Sequence, residues 1–305
     1  MTELGTLHGI PEPANRWEES IANGLSVLDC LVYRSNLLGA DRALANVGGG
    51  NTSSKEIVRD HVERDVNVLW VKGSGTDLAT ITAAGFAGLR LDELVPLRAR
   101  ETMDDAAMVA HLLQSATRPV QPRPSIETLL HAFIPATHVD HTHPDAVIAL
   151  TSTPGGRRLA DEAFGDEAVW LGYQRPGFDM SRRIASLLEE HPGARAVLLE
   201  KHGLVTWGDT GEESYEATIE FVSRAARAID DAGRGRFGLG GRKAAELAEG
   251  SVDQLLERSL PVLRGALLAD ADGLVLEVDR SPEAVAFASS ERSFEVSQIG
   301  APCPD

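Results

Sequence analysis

Segments with apolar residues at helical spacing alternate along the whole chain with short apolar runs of strand length. This alternation constrains the fold more than any other feature and sets the class as α/β. "EESIANGLSVLDCLVYRSNLLGA" carries Ile21, Leu25, Leu28 and Val32 on one helical face, which predicts a helix from about Trp17 to Leu38. "ANVGGGNTSSK" then breaks the pattern with its glycines. "VNVLWVKGSG" reads as a strand running into a tight turn, and "EIVRDHV" before it fits a hairpin poorly and is left unassigned. A helix is predicted over residues 92–116 and another over "SIETLLHAF", with Ser125 as its N-cap and Glu127 in its first turn. "THVDHTH" is a strand ended by Pro144, and "MSRRIASLLEEH" is a helix closed by His191-Pro192-Gly193. "ARAVLLEKHGLVTWG" gives a strand, a histidine turn and a second strand, followed by the amphipathic helix "SYEATIEFVSRAARAIDDA". Beyond it come a flexible glycine-rich loop (233–243), a helix near 251–269, a strand "GLVLEV" and an irregular tail.

Charge and cysteine content exclude several function classes. The formal charge of −17 argues against nucleic-acid partners and against anionic membranes, since neither attracts such a surface. An anionic small substrate would need local positive charge in its pocket. Two cysteines, Cys30 and Cys303, stand far apart and outside any CxxC pattern, so a reducing compartment fits. The N-terminus has neither a basic start nor an apolar run, and no stretch approaches the ~18 apolar residues of a membrane span. A cytoplasmic protein is expected.

The chemistry concentrates in a few short motifs. Alternate residues of a strand share a face, so His141 and His143 point the same way, about 7 Å apart at Cα. His138 has the opposite parity and is expected to stay apart. Two imidazoles on one face can close on one ion; alone, an HxH is as often a pair of half-exposed edge histidines. His202 adds a third imidazole at a strand end beside Gly203, although a His-Gly by itself is more often only a turn. Glu127 is read either as a carboxylate complementing a helix dipole or as a general base beside the metal. His131, four residues on, shares its helix face and is read as packing or hydrogen bonding to the site more than as a ligand.

"GGGNTSSK" and "VKGSG", with Lys72, Ser74 and Gly75, offer backbone N–H groups of the kind that bind oxyanions, and Ser125 is a third such spot. Each alone is more often a plain turn. The P-loop spacing is absent. Gly233, Gly235 and Gly238 spell GxGxxG, but they follow a helix and lack a βαβ context, so no dinucleotide fingerprint is assigned.

Five motifs in order, Gly50-Asn51-Thr52, Gly73-Ser74-Gly75, Ser125-Ile126-Glu127, His141-Thr142-His143 and His202-Gly203, resemble the class II aldolase/adducin family over roughly residues 20–230. The likeness is greatest to the aldolase half of bifunctional rhamnulose-phosphate aldolase/lactaldehyde (short-chain) dehydrogenases, so the chain looks like either a stand-alone aldolase domain or a fragment of such a protein. The resemblance implies a three-layer α/β/α fold around a mostly antiparallel or mixed sheet. It implies a class II aldolase-like domain over 1–235 and a helix–strand extension, 236–305, packed on it. It implies His141, His143 and His202 as ligands of Zn²⁺ or another divalent ion, and Glu127 and, more weakly, Tyr173 as catalytic acid/base groups. It implies phosphate contacts from Gly50, Asn51, Ser74, Gly75 and Ser125, and a homotetramer with active sites between subunits. The expected reaction is cleavage of a phosphorylated sugar, a ketose 1-phosphate like rhamnulose 1-phosphate, to dihydroxyacetone phosphate and a short aldehyde. Pentulose-phosphate epimerases, dehydratases and non-catalytic adducin-like oligomerisation modules are the alternatives. Two departures bear on the phosphate grip: Gly48 stands where the family often has a hydroxyl residue, and Ile126 where it has a second serine.

Overall fold

The structure is a computed structural model that describes residues 10–233, 242–245, 247–268 and 273–299. It divides into one compact unit, Gly9–Ala232, and a second that begins at Gly233. The first unit is built on seven strands: β1 (Asn51–Arg59), β2 (Asp65–Lys72), β3 (Phe86–Arg90), β4 (His138–Thr142), β5 (Ala168–Leu171), β6 (Ala196–Leu199) and β7 (Gly203–Gly208). They form one sheet in the order β3-β2-β1-β4-β7-β6-β5, antiparallel throughout except for the parallel pair β5–β6.

Strand alternation sorts the apolar side chains into two layers. Leu198 and Leu204 face a cluster built with Leu38, Val147, Leu150, Phe164, Tyr215 and Phe221, from the helices Val27–Ala40, Asp145–Ser152, Gly156–Phe164 and Gly211–Gly233. Val197, Leu199 and Val205 face Leu130, Met180 and Ile184, from the helices Thr128–Phe133 and Phe178–Glu190. Helices thus cover both faces of a mixed sheet, the α/β class expected.

Several boundaries differ from the sequence expectation. The first predicted helix is two pieces, Glu19–Ala22 and Val27–Ala40; Gly24 takes φ +87° between them, and Ser26 caps the second by accepting from the Asp29 N–H. The stretch left unassigned is a hairpin after all. β1 and β2 pair from Ser53–Val71 to Arg59–Asp65, and the Asp60 carboxylate accepts the N–H groups of Val62 and Arg64 in the turn. Residues 92–116 are not one helix. Leu91–Leu94 passes into a 3₁₀ turn, Val95–Ala99, and a separate helix, Asp105–Gln114, starts behind an Asp104 cap. Ser125 is not a helix N-cap: the helix is Thr128–Phe133, and Glu127 occupies the capping position ahead of it.

In the second unit the helix Glu249–Leu267 is present, but "GLVLEV" (273–278) is not a strand. Among the described residues nothing pairs with it, and a lone extended segment keeps its backbone groups in water. The tail is more regular than expected, with helices Pro282–Ser289 and Glu291–Val296 capped by Ser281 and Ser290. The glycine-rich loop near 235 lies almost wholly outside the described residues, as do Gly235 and Gly238.

Candidate metal centre

β4 and the β6–β7 turn bring three imidazoles together. His141 lies in β4, fully buried; His143 follows the strand end, ahead of Pro144; His202 sits in the turn before β7. The Nε2 of His141 is 3.2 Å from that of His202 and 3.1 Å from that of His143. Two nitrogens bound tetrahedrally to one ion at 2.0–2.1 Å stand about 3.3 Å apart, so this spacing fits a shared divalent cation. The donor set fits as well. His141 Nδ1 is 3.0 Å from the Leu204 carbonyl, which accepts its N–H and leaves the Nε2 lone pair facing its neighbours. Burial pushes His143 down to about 3, so it is the neutral, ligating form at pH 7.

Close backbone packing makes this approach possible. Gly50 has φ +73°, and a Cβ there would lie 2.6 Å from the His141 carbonyl oxygen. A Cβ on Gly203 would lie 2.4 Å from the Thr142 carbonyl oxygen. The glycine beside His202 therefore has a steric reason.

Glu127 completes the cluster. Its Oε1 lies 3.4 Å from Nε2 of both His141 and His202 and has no hydrogen-bond partner, although buried. Oε2 accepts from Asn51 Nδ2 at 2.7 Å. Burial pushes the carboxyl up, but His141, His202 and the Asn51 amide outweigh it, and the group is held below the usual carboxylate range. A buried carboxylate oxygen aimed at converging imidazole nitrogens calls for a cation between them.

The other singled-out residues divide. Asn51 is directly across the β1–β4 pairing from His141, and its amide is spent on Glu127 and His131. Ser125 Oγ lies 3.4 Å from Asn51 Nδ2 and accepts from the Glu127 N–H. Ser74 and Gly75 are exposed on the turn after β2, where Ser74 donates its N–H to the Arg123 carbonyl. Lys72, from the same motif, is buried at 5% exposure; desolvation lowers its ammonium, with Asp77 and Glu127 opposing. His131 is fully buried with both ring nitrogens engaged, by Ser53 Oγ and by Asn51 Oδ1, which leaves no lone pair for an ion. His138 faces the other side of the sheet, against Arg34 and Ser54. Tyr173 is apart from the cluster on an exposed turn after β5, 62% exposed, where its N–H donates to Glu200.

Arg34, which the sequence reading did not single out, is buried without exposure and donates to Asp140 Oδ1 at 2.9 Å and to the Ser53 carbonyl at 2.7 Å. The signal available was an arginine at helical spacing between Leu31 and Leu38 on the buried face of its helix.

The Class II Aldolase and Adducin N-terminal domain family model matches residues 30–229, the stretch that contains every strand of the sheet and the whole histidine cluster. The chain belongs to this family. A fellow member of known structure, the N-terminal class II aldolase domain of a conserved protein from Thermoplasma acidophilum, is 41% identical, with a TM-score of 0.66 over 71% of this chain and 99% of that one. The uncharacterized oxidoreductase YuxG of Bacillus subtilis is 46% identical over 275 residues, 90% of this chain but 40% of that protein. The methylthioribulose-1-phosphate dehydratase of Marinobacter nauticus is 32% identical over 108 residues, 29% of this chain and 52% of that one. The chain thus spans about half or less of these curated relatives. Among the described residues no helix is long and apolar enough to cross a membrane.

Proposed function

We propose that this chain is a divalent-metal-dependent aldolase that cleaves a ketose 1-phosphate, rhamnulose 1-phosphate or a close analogue, to dihydroxyacetone phosphate and a short aldehyde. The carrying observation is the Glu127 carboxylate, anchored through Oε2 and directed by Oε1 at two of three converging imidazoles. His141, His143 and His202 would hold the ion, with zinc preferred for three nitrogen donors and other divalent ions admissible. The bound ion supplies Lewis-acid polarisation of the ketone and adjacent hydroxyl oxygens. Glu127, kept ionised, takes the proton from the carbon next to the carbonyl in the condensation direction and returns it on cleavage. Tyr173 serves the aldehyde-side oxygen: in the condensation direction its phenol donates a proton to that oxygen as the carbon–carbon bond forms, cleavage runs both transfers in reverse, and the two groups regain their starting protonation by exchange with solvent. Its exposure suits a residue that reaches substrate across a contact between subunits of a homotetramer.

Lys72 and the backbone N–H groups of Gly50 and Gly75, with the Ser74 side chain beside them, supply the local positive field that an anionic substrate needs in a chain of charge −17. The match to 40% of a longer oxidoreductase supports the likeness to aldolase–dehydrogenase fusions.

A second reading, loss of water from a ketose 1-phosphate, draws support from the dehydratase relative. One experiment separates them: metal content of the purified protein, measured together with product analysis on a ketose 1-phosphate panel. Bound divalent ion with release of aldehyde and dihydroxyacetone phosphate supports the aldolase. Water loss with the carbon chain intact supports the dehydratase, and a metal-free inert protein supports an oligomerisation module.

A further inference from the structure

β1 opens with four polar residues in succession, Asn51-Thr52-Ser53-Ser54, none more than 4% exposed. Burying such a run costs free energy unless each side chain finds a partner. Alternation assigns them to two faces. Thr52 and Ser54 turn to the Val27–Ala40 helix side, where Thr52 meets Ser35 at 2.7 Å and Ser54 meets His138 at 2.8 Å. Asn51 and Ser53 turn to the metal-centre side, and both meet His131.

The hydrogen-bond directions on that side follow from Glu127. A carboxylate only accepts, so Asn51 presents Nδ2 to Oε2, and its Oδ1 is left to accept from His131 Nε2–H. His131 Nδ1 then carries the lone pair and accepts from the Ser53 hydroxyl at 2.8 Å. Only one polarity runs through the chain: Ser53 to His131, His131 to Asn51, Asn51 to Glu127.

We infer that His131 is a positioning residue, the middle member of a Ser53–His131–Asn51 relay that holds the Glu127 carboxylate with Oε1 turned toward the three imidazoles. The inference rests on the aldolase reading for what Glu127 does, and it gives Asn51 the task of holding a carboxylate instead of a phosphate. It also explains why a histidine that binds no ion is fully buried within one helical turn of Glu127. Ser53 is locked in turn, because its carbonyl accepts from Arg34 on the opposite face at 2.7 Å.

The test uses the zinc-loaded full chain and the variants His131→Ala, His131→Gln, Asn51→Ala and Ser53→Ala. Metal stoichiometry, kcat and KM on the ketose 1-phosphate, and the imidazole N–H region of the proton NMR spectrum are measured. His131→Ala and Asn51→Ala are expected to keep the metal and hold KM within about threefold, and to lose roughly 10- to 100-fold in kcat. Ser53→Ala loses less in the same direction, and His131→Gln, whose amide still donates to Asn51, recovers part of the loss. The slowly exchanging His131 N–H resonance of the wild type disappears in Asn51→Ala and survives in Ser53→Ala.

Wild-type kcat in folded Asn51→Ala and Ser53→Ala overturns the relay, as does loss of metal in His131→Ala proportional to its loss of activity. If His131→Ala does not fold, the Asn51 and Ser53 variants decide by the same criteria. A wild type that cleaves no ketose phosphate, yet shows an imidazole resonance that depends on Asn51, removes the aldolase reading and leaves the relay standing. Absence of that resonance from the wild type removes the relay.

Discussion

The two faces of the β1–β4 pair carry buried polar networks of similar size and opposite character. Behind the sheet, every polar atom of the central ion pair is answered. Arg34 donates to Asp140 Oδ1, to His138 Nδ1 and to the Ser53 carbonyl, and Asp140 Oδ2 accepts from Ser214 at 2.7 Å. In front, the chain of hydrogen bonds ends on Glu127 Oε1, a buried acceptor with no donor. A closed network specifies register and packing, whereas one that ends open toward converging lone pairs is arranged for something bound there. Removing parts from the two sides should therefore have different consequences.

The largest expected effect is on the open side. His141→Ala should lose the divalent ion and cleavage together, read by metal analysis and product release; full turnover in that variant contradicts the scheme. Next come paired changes that cross the sheet. Asp140→Ala leaves Arg34 charged, buried and uncompensated, and is expected to cost about 3–5 kcal/mol of unfolding free energy by urea titration. Glu127→Gln is expected to leave stability within about 1 kcal/mol and to reduce kcat by roughly 10²–10⁴-fold. If the stability loss fell on Glu127→Gln and Asp140→Ala were neutral, the division into a closed and an open network would be wrong.

pH sharpens the comparison, because each face holds a buried histidine outside the three-imidazole cluster, His131 in front and His138 behind. Desolvation pushes His131 down to about 3, with the charge of His141 adding to it. Desolvation likewise pushes His138 to about 3, with Arg34 adding. The folded values lie below the ordinary 6.5, so between the two the unfolded chain binds protons that the folded chain does not. The stabilisation is complete above 6.5 and is lost as pH falls toward 3, by at most about 1.4 kcal/mol per pH unit for each imidazole. His138→Gln should flatten the acid side of the metal-free protein's stability profile without touching metal content. A slope unchanged by His138→Gln would show that this ring is not held neutral.

Particular residues show how much of this was legible beforehand. The parity of His141, His143 and His138 follows from the two-residue period of a strand, and Pro144 marks its end, so β4 could be read from local rules. The β1–β2 hairpin could not. "NTSSKEIVR" opens with buried polar residues whose partners, Ser35, His131 and His138, are 17, 78 and 84 positions away for Thr52, Ser53 and Ser54 respectively. A hydrophobic-period argument sees no buried strand there. Ser125 looked like an N-cap because serine before a helical run usually is one. The helix is instead Thr128–Phe133 with Glu127 in the capping position, and Ser125 Oγ accepts the Glu127 N–H in the turn ahead of it. "GLVLEV" had strand composition, but composition supplies no neighbour to pair with.

The smallest expected effect concerns the turn that delivers His202. Lys201 has φ +57°, the left-handed region that costs a residue with a Cβ about 1 kcal/mol or more. Its N–H is 3.3 Å from Thr151 Oγ1, and its side chain is 58% exposed, so the conformation is imposed by the turn and not by packing of the lysine. Asparagine tolerates this region better than lysine and adds less unfolded-state entropy than glycine does. Lys201→Asn should therefore stabilise by roughly 0.5 kcal/mol, and Lys201→Gly should change stability by less, because relief of strain is offset by entropy. Thermal or urea unfolding at fixed metal loading reads the order. Destabilisation by Lys201→Asn with metal content intact would mean that the turn relaxes in solution. The placement of His202 would then be owed to the ion it shares with His141 and His143 more than to the backbone, and the open face would be less preorganised than the closed one behind it.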